Sequence, residues 1–129
     1  RRQTVLLVDP EDRSRGLARH LLTRHGYHVI EADASPTALV LWEGQGSQVD
    51  LLLTSLVLPG GLSGPELAAQ LRQSKPDLHV LYTAEPDTPA TAENAAPVQV
   101  QVEAAQLILK PYTPERLLQP VEKLLSKPA

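Results

Sequence analysis

Two hydrophobic rhythms alternate along this chain. Thr4-Val5-Leu6-Leu7-Val8 is a continuous apolar run, the pattern of a parallel strand covered on both faces. Leu17, Ala18, Leu21 and Leu22 then recur at three-to-four-residue spacing, which predicts an amphipathic helix. Gly26 lies just past its last turn, where a left-handed residue commonly stops a helix. Tyr27-His28-Val29-Ile30-Glu31 predicts a short second strand. Ser35-Pro36 reads as a cap with proline at the first helical position, ahead of Ala38, Leu39, Leu41 and Trp42. Gly44 to Ser47 reads as a loop.

Val49 to Thr54 is the most hydrophobic segment and is predicted to be the central strand. Leu58-Pro59-Gly60-Gly61 turns the chain, and Ser63 with Glu66 forms a capping box for a helix carrying Leu67 and Leu71. Leu78 to Thr83 and Leu107-Ile108-Leu109 predict a fourth and a fifth strand. Thr113-Pro114 opens a last helix with Leu117, Leu118, Val121, Leu124 and Leu125. Pro120 inside that helix is expected to kink it or leave one carbonyl unpaired. Between Glu85 and Gln106 the periodicity fails: Pro86, Pro89 and Pro97 interrupt small residues. A short helix over Pro89 to Ala95 or an irregular crossover is expected there, with Val98 to Val102 as an optional edge strand.

Strand–helix alternation with short connections specifies an α/β doubly wound domain. The chain has 129 residues, the size of one domain with one core, so residues 1–129 form a single unit on this reading. In such sheets ligands bind outside the carboxyl ends of the strands. The residues at those ends are Asp9, Thr54 with Ser55, Thr83, and Lys110.

Composition removes several function classes. Aromatic residues make up 3% and the net charge is −3, so neither base-stacking platforms nor a basic footprint for nucleic acid is present. No apolar run approaches the roughly 20 residues that span a bilayer. With no cysteine, a disulfide framework and a thiolate zinc site are excluded. Methionine is absent even at position 1, which implies a piece of a longer protein.

The segments Val5-Leu6-Leu7-Val8-Asp9, Asp50 to Gly60, Leu62-Ser63-Gly64-Pro65-Glu66-Leu67, Leu81-Tyr82-Thr83-Ala84 and Leu109-Lys110-Pro111-Tyr112 occur in order at suitable separations. Together they resemble the receiver domain of bacterial two-component response regulators, in wording most similar to receivers attached to hybrid histidine kinases. The resemblance implies a flavodoxin-like parallel sheet in the order 2-1-3-4-5, with the fourth helix falling in the irregular proline-rich stretch. It implies a cytoplasmic setting, no enzymatic activity, and a protein partner such as a histidine kinase or an attached signalling domain, with homodimerisation open. It gives no role to nucleic acid or membrane.

Mapped residue by residue, the resemblance also implies a partly dismantled site. In such domains two neighbouring acids after strand one and an acceptor aspartate after strand three hold Mg²⁺. A hydroxyl after strand four and a lysine after strand five contact the phosphoryl oxygens. Here Asp9 matches the first acid, but Pro10 stands in the second acid's place, with Glu11 and Asp12 one and two residues further along and expected to point elsewhere. Ser55 stands at the acceptor position, with no carboxylate from which to form an acyl phosphate. Thr83 and Lys110 match, and Lys110-Pro111 is similar to the family's cis junction. The aromatic switch position is Leu107.

Three readings follow. The favoured one is a receiver that cannot be phosphorylated and works by protein–protein interaction. A second keeps phosphoryl acceptance and uses a substitute acid such as Asp12. A third places a small ligand, for example a nucleotide, in the strand-end crevice. A serine nucleophile needs an adjacent base, and His20, His25, His28 and His79 all lie outside the matching segments at the strand ends. Asp9 alone offers a poor Mg²⁺ site, and its simplest role is to pair with Lys110. Thr83 is expected to hydrogen-bond locally, and Trp42 to pack on its helix, partly buried.

Overall fold

The computed structural model describes residues 2–85 and 106–126. The strands are β1 (Thr4–Val8), β2 (His28–Ala32), β3 (Val49–Ser55), β4 (His79–Ala84) and β5 (Leu107–Leu109). The helices among the described residues are α1 (Asp12–Arg24), α2 (Ser35–Gln45), α3 (Gly64–Ser74) and α4 (Pro114–Leu125), with a 3₁₀ turn at Gly46–Gln48. The five strands form one parallel sheet in the order β2-β1-β3-β4-β5. The expected short helix, irregular crossover and edge strand between Glu85 and Gln106 fall on residues 86–105, outside the described residues.

Alternation along the strands explains why β1, β3 and β4 are apolar over most of their length, while the edge strand β2 carries the exposed His28 and the half-buried Glu31. Successive side chains point to opposite faces of a sheet, and here both faces are covered. Leu6, Val8, Leu52, Val80 and Tyr82 pack with Ala38, Leu67 and Leu71 from α2 and α3. Val5, Leu7, Leu51, Leu53 and Leu81 pack on the other side with Ala18, Leu22, Leu117 and Val121 from α1 and α4. Each fully buried leucine contributes roughly 1.5–3 kcal/mol of transfer free energy, so the aliphatic core holds the sheet without any phenylalanine.

Boundaries moved where local hydrogen bonds overrode hydrophobicity. The Tyr27 N–H donates to the Leu22 carbonyl and so belongs to the end of α1, and β2 begins at His28, whose N–H reaches Gln3. The Leu78 N–H closes a turn on Lys75, while Ala84 is drawn into β4 by its pairing with Leu109. Gly44 to Ser47 is not a loop: α2 runs to Gln45 and the 3₁₀ turn follows. Gly46 lies against the indole of Trp42, where a Cβ would sit 2.7 Å from the ring.

Ser35 does not cap α2. Ala34 is the N-cap, without a side-chain cap bond, and the buried Ser35 Oγ accepts from the Leu62 N–H at 2.8 Å. The serine is thus spent on the loop that follows β3. The capping box of Ser63 and Glu66 forms as expected, and Thr113 accepts from the Arg116 N–H at the start of α4. That helix continues unbroken past Pro120, whose missing N–H leaves the carbonyl one turn back without its helical donor. Trp42 is half-buried, and its Nε1 donates to Ser74 Oγ at 3.0 Å, joining α2 to α3.

Candidate functional site

Parallel register brings the predicted strand-end residues together. Val8 lies beside Thr54, Ser55 beside Thr83, and Ala84 beside Leu109. One residue beyond β1 and β5 stand Asp9 and Lys110. The Asp9 N–H donates to the Ala32 carbonyl at 3.0 Å and the Lys110 N–H to the Ala84 carbonyl at 2.8 Å, so sheet bonding carries past the last strand residues. The Lys110–Pro111 peptide is cis. Asp9, Ser55 and Thr83 are buried.

The charges at the strand ends are closed on each other. Lys110 Nζ lies 3.1 Å from Asp9 Oδ2, with side-chain exposures of 11% and 3%. Asp9 Oδ1 accepts from the Glu11 N–H at 2.9 Å. Ser55 Oγ and Thr83 Oγ1 stand 3.5 Å apart, so Thr83 finds its partner across the sheet rather than locally. The Thr54 hydroxyl donates to the Ser55 carbonyl at 3.1 Å. Behind Ser55 the chain turns tightly: the Gly64 N–H donates to the Leu56 carbonyl at 3.0 Å, and a Cβ on Gly64 would lie 2.3 Å from the Ser55 carbonyl oxygen.

Asp9, Pro10, Glu11, Ser55, Val57, Thr83, Ala84, Glu85 and Lys110 line a cleft of about 120 Å³, well below the roughly 300–1,000 Å³ of small-molecule pockets. Glu11 reaches this rim, contrary to the expectation that it points elsewhere, and its Oε1 accepts from Ser14 Oγ. Asp12 does point away: its side chain is 90% exposed and pairs with Arg15 at 2.7 Å. Leu107 is half-buried against the core on the α2–α3 side and is not a cleft residue. None of the four histidines lines the cleft. Tyr112, buried beside it, has its phenol pushed up to about 12 by burial, with Asp9 and Glu11 adding to the effect.

The donor set does not fit Mg²⁺. That ion requires a near-octahedral oxygen shell and usually takes one or two carboxylates together with substrate phosphates. Both carboxylate oxygens of Asp9 are already engaged by the protein. Among the described residues, no three His, Cys, Asp or Glu side chains are grouped to share a cation.

Sequence reasoning named Asp9, Pro10, Ser55, Thr83 and Lys110 for the site, and Glu11 with them as a neighbouring acid; all six line the cleft. It missed Glu85 on the rim, and it missed Arg15. The Arg15 Nη1 donates to the Asp9 backbone carbonyl at 2.8 Å, and its Nε lies 3.4 Å from Glu31 on β2. The only sequence signal was the Asp12–Arg15 spacing on α1, which suggests a helical pair but not a reach back to β1.

The chain is similar to known proteins over nearly its whole length. Residues 5–122 match the sequence profile of the response regulator receiver domain. It is 32% identical over 125 residues to the sensor kinase CckA of Brucella abortus, covering 96% of this chain and 13% of that protein. It is 32% identical over 124 residues to the transcriptional regulatory protein ResD of Bacillus subtilis, covering 95% of this chain and 48% of that one. Among solved structures, the signal receiver domain of an HD domain-containing protein from Pseudomonas fluorescens superposes with a TM-score of 0.80 at 25% identity, covering 98% and 96% of the two chains. The chain thus spans about an eighth of one of these curated relatives and about half of the other.

Proposed function

The chain belongs to the response regulator receiver domain family of two-component signalling, and from that premise we propose that it is a receiver that accepts no phosphoryl group and acts as a protein-interaction module within a larger signalling protein. The observation that carries this reading is Ser55. It stands at the C-terminal end of β3, buried, with its hydroxyl facing Thr83 and no carboxylate available to form an acyl phosphate. A serine hydroxyl without a neighbouring base is a weak nucleophile, and no histidine lines the cleft.

On this reading the domain has no catalytic activity of its own and works in the cytoplasm. Its partner is a histidine kinase, an attached signalling domain or a second copy of itself. A ligand shifts a conformational equilibrium only through different affinities for the two states. With no phosphoryl group as input, the resting conformation is fixed unless a partner selects another. The two other readings lose support. Asp12 is exposed and held by Arg15, and the crevice is small, with the Asp9 and Lys110 charges paired to each other in its lining.

The test is incubation with Mg²⁺ and a small phosphodonor such as acetyl phosphate, and separately with a phosphohistidine protein donor, followed by intact mass measurement. The expected result is no phosphoryl adduct. A hydroxylamine-sensitive adduct would overturn the reading, and its disappearance in Asp12→Asn would establish the substitute acid instead.

A further inference from the structure

The geometry points to an exchange of one kind of cation for another: Arg15 and Lys110 together hold the Asp9 turn in the way a bound divalent ion would, so the cleft keeps its shape without metal. The inference rests on the reading of this domain as a receiver without phosphoryl input. It concerns metal and shape rather than phosphate, so the two can fail separately.

Every polar group of Asp9 is engaged by the protein. Its N–H donates to Ala32, its carbonyl accepts from Arg15 Nη1 at 2.8 Å, Oδ1 accepts from the Glu11 N–H at 2.9 Å, and Oδ2 meets Lys110 Nζ at 3.1 Å. Two of these four partners are fixed cations. Arg15 is itself held from three sides: Nη2 lies 2.7 Å from Asp12 on α1, Nε 3.4 Å from Glu31 on β2, and Nη1 on the Asp9 carbonyl beyond β1. A planar guanidinium suits this role because its fork of donors serves several acceptors at once. Pro10 fixes the backbone of the same turn. Arg15 is thus a positioning residue: it acts on the cleft through the Asp9 backbone, while Lys110 acts on the side chain.

The experiment is amide NMR on the whole chain. In the wild-type protein, Mg²⁺ added to millimolar concentration is expected to leave the Asp9, Glu11 and Ser55 amides unshifted. In Lys110→Met, Asp9 Oδ2 loses its partner and becomes one free carboxylate oxygen in the cleft, and the same titration is expected to produce weak, saturable shifts at Asp9 and Glu11. In Arg15→Met, hydrogen exchange at the Glu11 amide is expected to accelerate roughly tenfold, the scale of one lost hydrogen bond to a charged group. Arg15→Lys, which keeps the charge but not the fork, is expected to restore part of that protection. Saturable Mg²⁺ shifts in the wild type would overturn the inference. So would unchanged Glu11 protection in Arg15→Met, or a Lys110→Met protein that folds and ignores Mg²⁺. If Lys110→Met does not fold, the wild-type titration and the Arg15 variants decide the matter alone.

Discussion

Removing the Lys110 ammonium while leaving Asp9 in place tests how the strand ends are held. The carboxylate is 3% exposed and 3.1 Å from the ammonium, so deleting the lysine strands a charge in a poorly solvated cleft. Breaking a buried pair from one side costs about 3–5 kcal/mol. Asp9 keeps the Glu11 N–H at 2.9 Å, which places Lys110→Met at the low end, about 3 kcal/mol. Asp9→Asn is expected to cost less, about 1–2 kcal/mol, for two reasons. The asparagine oxygen can still accept from Glu11, and the lysine stem can carry its charge toward solvent.

The double variant has no charge to strand and is expected to lose about as much as Asp9→Asn alone, which puts the coupling near 3 kcal/mol. Urea unfolding followed through Trp42, the single tryptophan of the chain, measures all three. A denaturant slope shared by the variants shows that the unfolded states are comparable. A domain of this size has about 5–15 kcal/mol in hand, so every variant should fold. If Lys110→Met costs less than about 1 kcal/mol, as an exposed pair would, or if the two single losses simply add, the closed-cleft argument is wrong.

Two glycines predict opposite signs for the same substitution. Gly16 lies inside α1 with nothing within 4 Å of a built Cβ, so Gly16→Ala is expected to stabilise by about 0.5–1 kcal/mol from helix propensity. Gly64 opens α3 with a built Cβ 2.3 Å from the Ser55 carbonyl oxygen, so Gly64→Ala is expected to destabilise by about 2–4 kcal/mol despite the same propensity gain; matching signs in thermal melts would refute this packing. Tyr112 makes a prediction about alkaline pH: its phenol is raised from 10.0 to about 12, so the neutral form favours the folded state. That contribution is whole below pH 10 and is lost as pH rises to about 12, at up to roughly 1.4 kcal/mol per pH unit. Tyr112→Phe is expected to remove this part of the slope, leaving what burial of Tyr27 and Tyr82 adds in the same direction; an unchanged slope in pH-dependent urea unfolding would refute it.

What the chain displays openly is whatever depends on neighbours in sequence. The capping box of Ser63 and Glu66 needs residues three apart, and it forms. Gly26 stops α1 in the left-handed region, at φ 90°, because only the absence of a side chain makes that conformation cheap. The apolar runs of β1, β3 and β4 become strands because the middle of a sheet covered on both faces leaves little polar alternation to misread. Ser35 shows where this logic ends. Its local reading as a cap was sound chemistry, but Ala34 takes the N-cap place and the Ser35 hydroxyl accepts from the Leu62 N–H, far along the chain. Arg15 is the same case at the site, since a side chain that bonds a backbone carbonyl leaves no pattern in residue types.

The position that was legible and the one that was not are linked by charge. Had residue 55 been an acid, Lys110 would face two buried carboxylates, and the cleft would need a further cation to balance them. With Ser55 the floor of the cleft carries one charge of each sign, the buried Asp9 and the mostly covered Lys110, while Glu11 and Glu85 stay at the solvent-exposed rim. Ser55 settles on Thr83, and no buried side-chain polar atom among the described residues lacks a partner. Replacing the acceptor acid by a hydroxyl therefore removes two things at once: the atom that would carry the phosphoryl group, and the excess negative charge that would call for a metal. Because one residue sets both, restoring Asp at position 55 is expected to bring back a demand for a divalent cation as well as an acceptor, and Pro10 leaves that demand with fewer ligands to meet it.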